Sequence, residues 1–351
     1  MIPIIDNLLG LFSQDLAVDL GTANTLVYVS GKGIAIREPS IVAIHKKSRR
    51  IIAIGDEAKK MIGKTPLNIT TVRPLRDGVI SDYDTTLAML SHFVKKVHKK
   101  PGQRITLPRP RIVIGIPSQV TEVERRAILD VARDSGAREA FLVEEPMAAA
   151  IGVGTSVLEP VGNMIVDIGG GTCETAVISL GGIVVGRSLK LAGDAMDLDI
   201  VSYVRARWGL ALGEKTAEEV KMFLGSAQVL PVEKQMTVRG RDLEKGLPKS
   251  IKLTSAQVRE ALSTTISAIV QTIKETIEDA PPELASDIAE RGIVLCGGGS
   301  QIYGLPKLIS QETKMAVSVV AEPLSCVVIG CAKLLANREL LERVKIARTS
   351  S

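Results

Sequence analysis

MIVDIGGGTCET, residues 164–175, decides how this chain folds. Met164, Ile165 and Val166 form an aliphatic run of strand composition, Asp167 follows, and three glycines make a turn directly after Ile168. A near copy, LAVDLGTANT, stands at residues 16–25, with Asp19 in the matching place and Gly21, Thr22, Ala23 and Asn24 as its small-residue turn. Gly169, Gly170 and Gly171 carry no Cβ, so successive backbone N–H groups can close on an anion, and the Gly21 turn can do likewise. Each turn is half of a phosphate clamp. A carboxylate beside clustered phosphates would be repelled unless a hard cation lay between them, so Asp19 and Asp167 read as Mg²⁺ ligands, direct or through water. Taken alone, either stretch is equally well a strand ending in a glycine turn, as many α/β domains contain. The repetition favours a duplicated fold whose halves face one nucleoside triphosphate across a cleft. Neither turn runs on into Gly-Lys-Ser or Gly-Lys-Thr, and no strand leads into a G-x-G-x-x-G helix start, so this is neither a Walker loop nor a dinucleotide fingerprint.

Composition sets the bounds. A chain of 351 residues is too long for one ordinary core and predicts two domains. With 45% hydrophobic residues and only 3% aromatics, the cores must be packed by Ile, Val, Leu and Ala. The 44 basic and 39 acidic residues leave a net charge of +5, too mild and dispersed to predict nucleic-acid binding. Cys173, Cys296, Cys326 and Cys331 lack C-x-x-C spacing and nearby histidine pairs, so neither a zinc site nor a disulfide framework is expected, which suits a reducing cytoplasm. No apolar run approaches the roughly 20 residues that span a bilayer, and no secretory signal is expected at the N-terminus.

Four motifs carry a family resemblance: DLGTANT, EEPMAAAIG at residues 144–152, DIGGGT at 167–172 and LCGGGS at 295–300. They are similar to the actin, Hsp70 and sugar-kinase superfamily, and within it the chain resembles the MreB family of bacterial actin-like, rod-shape-determining proteins. The likeness extends over nearly the whole chain, through RPLRDGVISDYDTT, VERRAI and PPELASDI. It implies a duplicated actin-like (ribonuclease H-like) α/β fold, with ATP and Mg²⁺ in the cleft between the halves. The first half would have an inner subdomain of residues 1–36, 80–148 and 321–351 and an outer one of 37–79. The second would have an inner subdomain of 149–190 and 260–320 and an outer one of 191–259.

Several further stretches bear on function. IPIIDNLLGLF opens on Ile2 and closes on Phe12, with Ile5, Leu8, Leu9 and Phe12 on one helical face. About three turns of isolated helix are marginal in water, so this segment must lie on something. Packing on its own domain is one solution; the resemblance favours insertion into a membrane surface, although no Lys or Arg precedes Asp15 to help. KKVHKKPGQRITLPRPR, residues 95–111, is the most basic stretch, and Ile105 and Leu107 sit inside it as an apolar tip. Ringed by Lys95, Lys96, Lys99, Lys100, Arg104 and Arg109, that tip suits anionic lipid, each nearby charge contributing about 1 kcal/mol; the alternative is a loop whose Ile and Leu tuck inward.

Helix signals fall between these stretches. Residues 84–98 show helical spacing, with Leu87, Leu90, Phe93, Val94 and Val97 as its core face. Thr121 with Glu124, and Thr254 with Gln257, are capping-box pairs. The first predicts a helix with Val123, Ala127 and Val131 inward. The second predicts one carrying Leu262, Ile266, Ile269, Ile273 and Ile277 until Pro281 and Pro282 end it. Gln235 to Leu253 reads as strands with RGRDLEKG as their hairpin, and residues 325–341 as a last helix returning to the first half before a polar tail.

Glu144 and Glu145 lie at a strand-to-helix junction, where Pro146 suits a first helical turn. A carboxylate there can orient an attacking water or take its proton, or can simply favour the helix N-terminus. The resemblance points to Glu145 for the catalytic role, with Thr172 helping to hold the water. Glu218 and Lys221 are three apart on a predicted helix and would make an ordinary surface ion pair; the resemblance places them against the ribose and base. Gly297, Gly298, Gly299 and Ser300 would let adenine and sugar lie on bare backbone. Cys173 stands where the family usually has Thr, directly after the clamp.

The resemblance implies slow ATP hydrolysis coupled to head-to-tail, paired protofilaments, peripheral on the inner face of the cytoplasmic membrane. Its implied partners are further copies of the chain, membrane lipid, and cell-wall elongation proteins such as MreC, MreD and RodZ. A soluble small-molecule kinase of the same superfamily is the principal alternative. A chaperone-like ATPase would need a peptide-binding domain after the nucleotide domain, and none is expected here.

Overall fold

Leu16, Ala17 and Val18 are wholly buried because the strand Leu16–Leu20 lies in the interior of a sheet. In the computed structural model, which describes residues 13–99 and 109–349, that strand pairs antiparallel with Asn24–Val29 and parallel with Arg111–Ile116. Arg111–Ile116 pairs in parallel with Glu139–Glu144, and Gly33–Pro39 and Ala347–Arg348 close the two edges of this six-stranded sheet. The aliphatic run RIVIGI is buried from Ile112 to Ile116, as a parallel strand covered on both faces requires. The expected polar tail at the C-terminus is therefore partly an edge strand, Ala347 facing Leu142 and Arg348 facing Phe141.

The chain divides into two compact units, residues 1–160, 178–183 and 324–351, and residues 161–177 and 184–323. The second unit repeats the plan of the first. Its five-stranded sheet runs Gly182–Leu189, Cys173–Ser179, Asn163–Ile168, Ile293–Cys296, Val317–Val319, the last three parallel. In both sheets the order is third, second and first strand of a meander, then two later parallel strands. A smaller three-stranded sheet also occurs in each unit: Ile51–Ile54, Val42–His45 and Ile69–Val72 in the first, Leu210–Ala211, Gln235–Asp242 and Pro248–Thr254 in the second. Each unit has its own aliphatic core, and Phe93 and Phe141 are the aromatics among the largest fully buried side chains.

Both capping boxes form. Thr121 and Glu124 start Glu122–Asp134, and Thr254 and Gln257 start Ser255–Glu278, each side chain bonding the other's backbone N–H. The buried face of Glu122–Asp134 is Ile128, Val131 and Ala132, and Val123 is 78% exposed, contrary to the stripe expected from i, i+4 spacing. Each step of four drifts by about 40° around a 3.6-residue helix, so a stripe anchored at Val131 leaves the core before reaching Val123. Helix Tyr83–His98 buries Leu90, Phe93 and Val94 as expected and Met89 besides, and it carries Lys95 and Lys96 in its last turn, as the helix expected over 84–98 does. Ile105 and Leu107, and residues 2–12, lie outside the described residues.

After Ser255–Glu278, Pro282 opens a further helix, Pro282–Arg291, since proline's fixed φ suits a first turn as well as it stops a preceding helix. The expected last helix is broken: Cys326–Ala336 ends at Asn337, whose side chain accepts from Leu340 N at 3.0 Å to start Arg338–Val344. Cys326–Ala336 packs on Glu145–Val153 at backbone contact. A Cβ on Gly330 would lie 1.7 Å from the Ala148 carbonyl oxygen, and one on Gly152 would lie 2.0 Å from that of Cys326. Gly330→Ala should therefore force the helices apart and destabilise the first unit by about 2–3 kcal/mol, read as a lower midpoint in urea unfolding. A midpoint equal to the parent's would mean that the crossing yields without cost.

Candidate functional site

In the first unit, Asp19 sits at the carboxyl end of its strand, in register with Leu26 on one neighbour and Gly115 on the other. Gly21 turns the chain so tightly that a Cβ would stand 2.7 Å from the Asn24 carbonyl oxygen and 3.6 Å from Asp19 Oδ1. The turn is pinned from two sides. Ser40 Oγ donates to Gly21 O at 2.6 Å and Ser40 N to Ala23 O at 3.0 Å, while the buried Thr22 hydroxyl accepts from Gly78 N at 3.0 Å. Gly78 can make that bond because its φ is +74° and Pro117 Cγ occupies the place of any side chain, 2.3 Å from where a Cβ would stand. Gly21, Ala23 and Asn24 remain partly exposed.

Glu145 opens the helix Glu145–Val153 with Pro146 in its first turn and Glu144 as the residue before it. Gly115 brings the parts together. A Cβ there would meet Val327 Cγ1 at 2.6 Å, Glu145 Cγ at 3.6 Å and Cys331 Sγ at 3.8 Å. Burial pushes the Cys331 thiol well above its usual range, and the negative charges of Asp19 and then Glu145 add to the push. Asp19 and Glu145 thus converge at the carboxyl ends of parallel strands, where α/β sheets bind ligands. Ser40, Gly78, Gly115 and Cys331 were not readable as site residues: only the interruption of RIVIGI by Gly115 hints at a close approach.

In the second unit Asp167 is 7% exposed and in register with Cys296. Burial first, and the neighbouring Glu174 carboxylate second, push its carboxyl up to about 7, against a hydrogen bond with Cys296 that pulls it down. Glu174 is itself 1% exposed and accepts from the Ser188 hydroxyl. No motif in the sequence marks Glu174 as a site residue. Gly297, at φ +76°, lets the chain pass Asp167: a Cβ would be 2.3 Å from Asp167 Oδ1 and from the Ile168 carbonyl oxygen. Gly298 and Gly299 stay partly exposed, whereas Ser300 is buried and its hydroxyl donates inward to Gly297 O at 2.7 Å.

The glycine turn is closed by Gly169 N donating to Thr172 O at 2.9 Å, with Thr172 buried and Gly169 and Gly170 partly exposed. Cys173, next along, is fully buried, and burial together with Glu174 and Asp167 raises its thiol pKa. Glu218 and Lys221 share the helix Glu214–Leu224, and Lys221 reaches across to the adjoining helix. Its ammonium stands 2.9 Å from Asp197 Oδ1 and donates to the Gly193 carbonyl at 2.7 Å. Three-residue spacing permits a pair on one helix, and a largely buried carboxylate on the adjoining helix, Gly193–Trp208, also draws this cation.

The donor set fits Mg²⁺ held together with a nucleotide better than a structural metal. Among the described residues no group of three His, Cys, Asp or Glu could cage an ion. Mg²⁺ is usually held by one or two carboxylates, phosphates and its own waters, and a strand-end Asp beside a small-residue turn is a donor of that kind. The buried Asp167 and Glu174 are like charges that a divalent cation would offset.

A sheet built twice in one strand order, each copy ending its first strand in an Asp before a pinned small-residue turn, defines an actin-like fold. Within that class the MreB/Mbl protein model matches residues 13–343, and the chain belongs to this family. It is 43% identical to the cell shape-determining protein Mbl of Bacillus subtilis, over 96% of this chain and 100% of that protein. It is 48% identical to the cell shape-determining protein MreB of Escherichia coli, over 93% of this chain and 94% of that one. Among solved structures, MreB5 of Spiroplasma citri bound to AMPPNP superposes with a TM-score of 0.87 at 39% identity, covering 93% of this chain and 97% of that one. The same protein bound to ADP gives 0.87 at 38% identity, with 95% and 98% covered.

Proposed function

We propose that the chain is an ATP-dependent, membrane-peripheral filament protein of rod-shaped cells that hydrolyses ATP slowly as it polymerises. The observation that carries this reading is the pair of strand-end carboxylates, Asp19 and Asp167, each set beside a turn that cannot tolerate a side chain at Gly21 or Gly297. Nucleotide-bound MreB5 and relatives named for cell shape support it.

Gly21, Thr22, Ala23 and Asn24 bind phosphate from the first unit, and Gly169, Gly170 and Gly171 from the second, through backbone N–H groups. Asp19 and Asp167 take Mg²⁺, which neutralises charge on the phosphates. Glu145 orients the attacking water and receives its proton, and Thr172 helps hold that water. Gly297, Gly298 and Gly299 pass backbone beneath the base and sugar, with Ser300 bracing their turn and Glu218 and Lys221 on the nucleoside side. Residues 37–79 and 191–259 form the outer subdomains, a division supported by their separate three-stranded sheets. No helix among the described residues is long and apolar enough to cross a membrane, and lipid contact is assigned to residues 2–12 with Ile105 and Leu107. Self-association is head-to-tail, and MreC, MreD and RodZ are the partner class.

Pelleting on anionic liposomes with ATP, ADP or no nucleotide, imaged by negative stain, tests the reading. ATP-dependent filaments lying on lipid are expected. A monomer that ignores lipid in every nucleotide state, and transfers γ-phosphate to a sugar, would replace it with the kinase alternative.

A further inference from the structure

The glycine turn of the second unit is built into the start of a helix. The Gly169 and Gly170 carbonyls accept from the first amides of Gly193–Trp208, Gly193 N at 3.2 Å and Asp194 N at 2.7 Å. Two donors that a helix start otherwise leaves unpaired are thereby used on the turn, and the helix's positive end lies against it. The helix start is gripped in its turn by Lys221 from Glu214–Leu224. The ammonium donates to the Gly193 carbonyl at 2.7 Å and stands 2.9 Å from Asp197 Oδ1, four residues further along. A Cβ on Gly193 would be 3.2 Å from Gly169 O, 3.4 Å from Lys221 Nζ and 3.5 Å from Gly170 Cα. The Lys221 and Asp197 side chains are 15% and 13% exposed, so their charges meet largely out of water.

We infer that Lys221 and Asp197 are positioning residues for phosphate binding: they fix the start of Gly193–Trp208, and that start fixes the turn 169–171. The inference rests on the proposed nucleotide reading and deepens it. Family resemblance gives Lys221 to the ribose and base, whereas its contacts here are with the protein's own backbone and carboxylate. The affinity of the clamp for a bare triphosphate chain therefore depends on Lys221 although that ligand has neither ribose nor base. A small displacement of preset donors is enough to weaken an anion site.

Isothermal titration calorimetry of the full chain separates the possibilities, using Mg²⁺ with inorganic tripolyphosphate beside Mg²⁺ with ATP. Lys221→Met and Asp197→Asn should each weaken tripolyphosphate binding by about tenfold or more, the scale of one lost charge-assisted hydrogen bond. The double variant should bind no worse than either single one, because both remove the same strut. Lys221→Arg, which keeps the charge, should recover much of the affinity. Circular dichroism and melting establish that each variant folds; if Lys221→Met does not, the nearly isosteric Asp197→Asn carries the test. Tripolyphosphate affinity unchanged in either variant overturns the inference, and if ATP affinity falls at the same time in Lys221→Met, that lysine is a nucleoside contact and the proposed function stands. A parent protein that binds neither ligand removes both.

Discussion

Glu145→Ala is expected to bind ATP nearly as well as the parent and to release phosphate some 10²–10⁴-fold more slowly, the range for loss of a positioned general base. Glu145 is the first residue of a helix whose second is Pro146, so its Cα is held between the buried strand Glu139–Glu144 and a rigid first turn. Gly115 then leaves room for its side chain, with Glu145 Cγ only 3.6 Å from where a Cβ on Gly115 would stand. The same thiol, Cys331, feels the charges of both Asp19 and Glu145, so the carboxylate belongs to the same strand ends as Asp19, the proposed metal ligand. Glu144 is the control. It precedes the helix without a side-chain cap bond, and Glu144→Ala should change phosphate release by less than about tenfold. Malachite-green phosphate assays with saturating Mg²⁺ and ATP measure both variants. Release from Glu145→Ala within about twofold of the parent would remove this residue from the chemistry. Glu145→Gln should be as slow as Ala if proton transfer matters, and faster if the carboxylate only orients water.

How much of this was legible beforehand depended on how local each cause is. Asp19 and Asp167 were readable because an aliphatic strand, a carboxylate and a small-residue turn are adjacent in sequence, and they repeat. The capping boxes at Thr121 and Thr254 and the Pro146 helix start are likewise settled within four residues. Val123 was misplaced because helical drift accumulates with distance from the core anchor, and the contact of Lys221 with Asp197 was not readable because Asp197 is on another helix. Glu174 and Cys331 carry no signal of their own in the sequence, and Gly115 carries only the hint of a glycine inside an aliphatic strand. Each acquires its part only when a neighbouring strand or helix is laid beside it, as Gly115 does when Cys326–Ala336 brings Val327 and Cys331 against it. A buried thiol and a buried strand residue look alike in a one-dimensional pattern, whereas the burial that raises the Asp167 carboxyl is a property of the closed sheet.

Asp167→Asn should stabilise the nucleotide-free protein above neutral pH while weakening Mg²⁺-ATP binding by more than about tenfold, the loss of one carboxylate ligand together with its charge. The folded carboxyl holds its proton up to about 7, against an ordinary value of 3.8. A group with a raised folded pKa binds its proton more tightly in the native state, so its contribution is full below about pH 4 and is lost as pH rises through about 7. At the alkaline limit that loss is on the order of 4 kcal/mol. Asn keeps the shape, cannot ionise, and removes the slope. Melting in EDTA at pH 5 and pH 8 should show the variant's advantage growing with pH, and adding Mg²⁺ and ATP should reverse it, because ligand that binds only the native carboxylate restores stability by mass action. An advantage independent of pH would mean that ionising Asp167 costs the folded unit nothing, despite its burial and the like charge of Glu174, and that the metal has no charge to relieve. If the slope and its reversal are both found, the burial that makes Asp167 costly to ionise is also what makes it selective for a cation arriving with phosphates, since in the folded unit ionisation and binding then become one event.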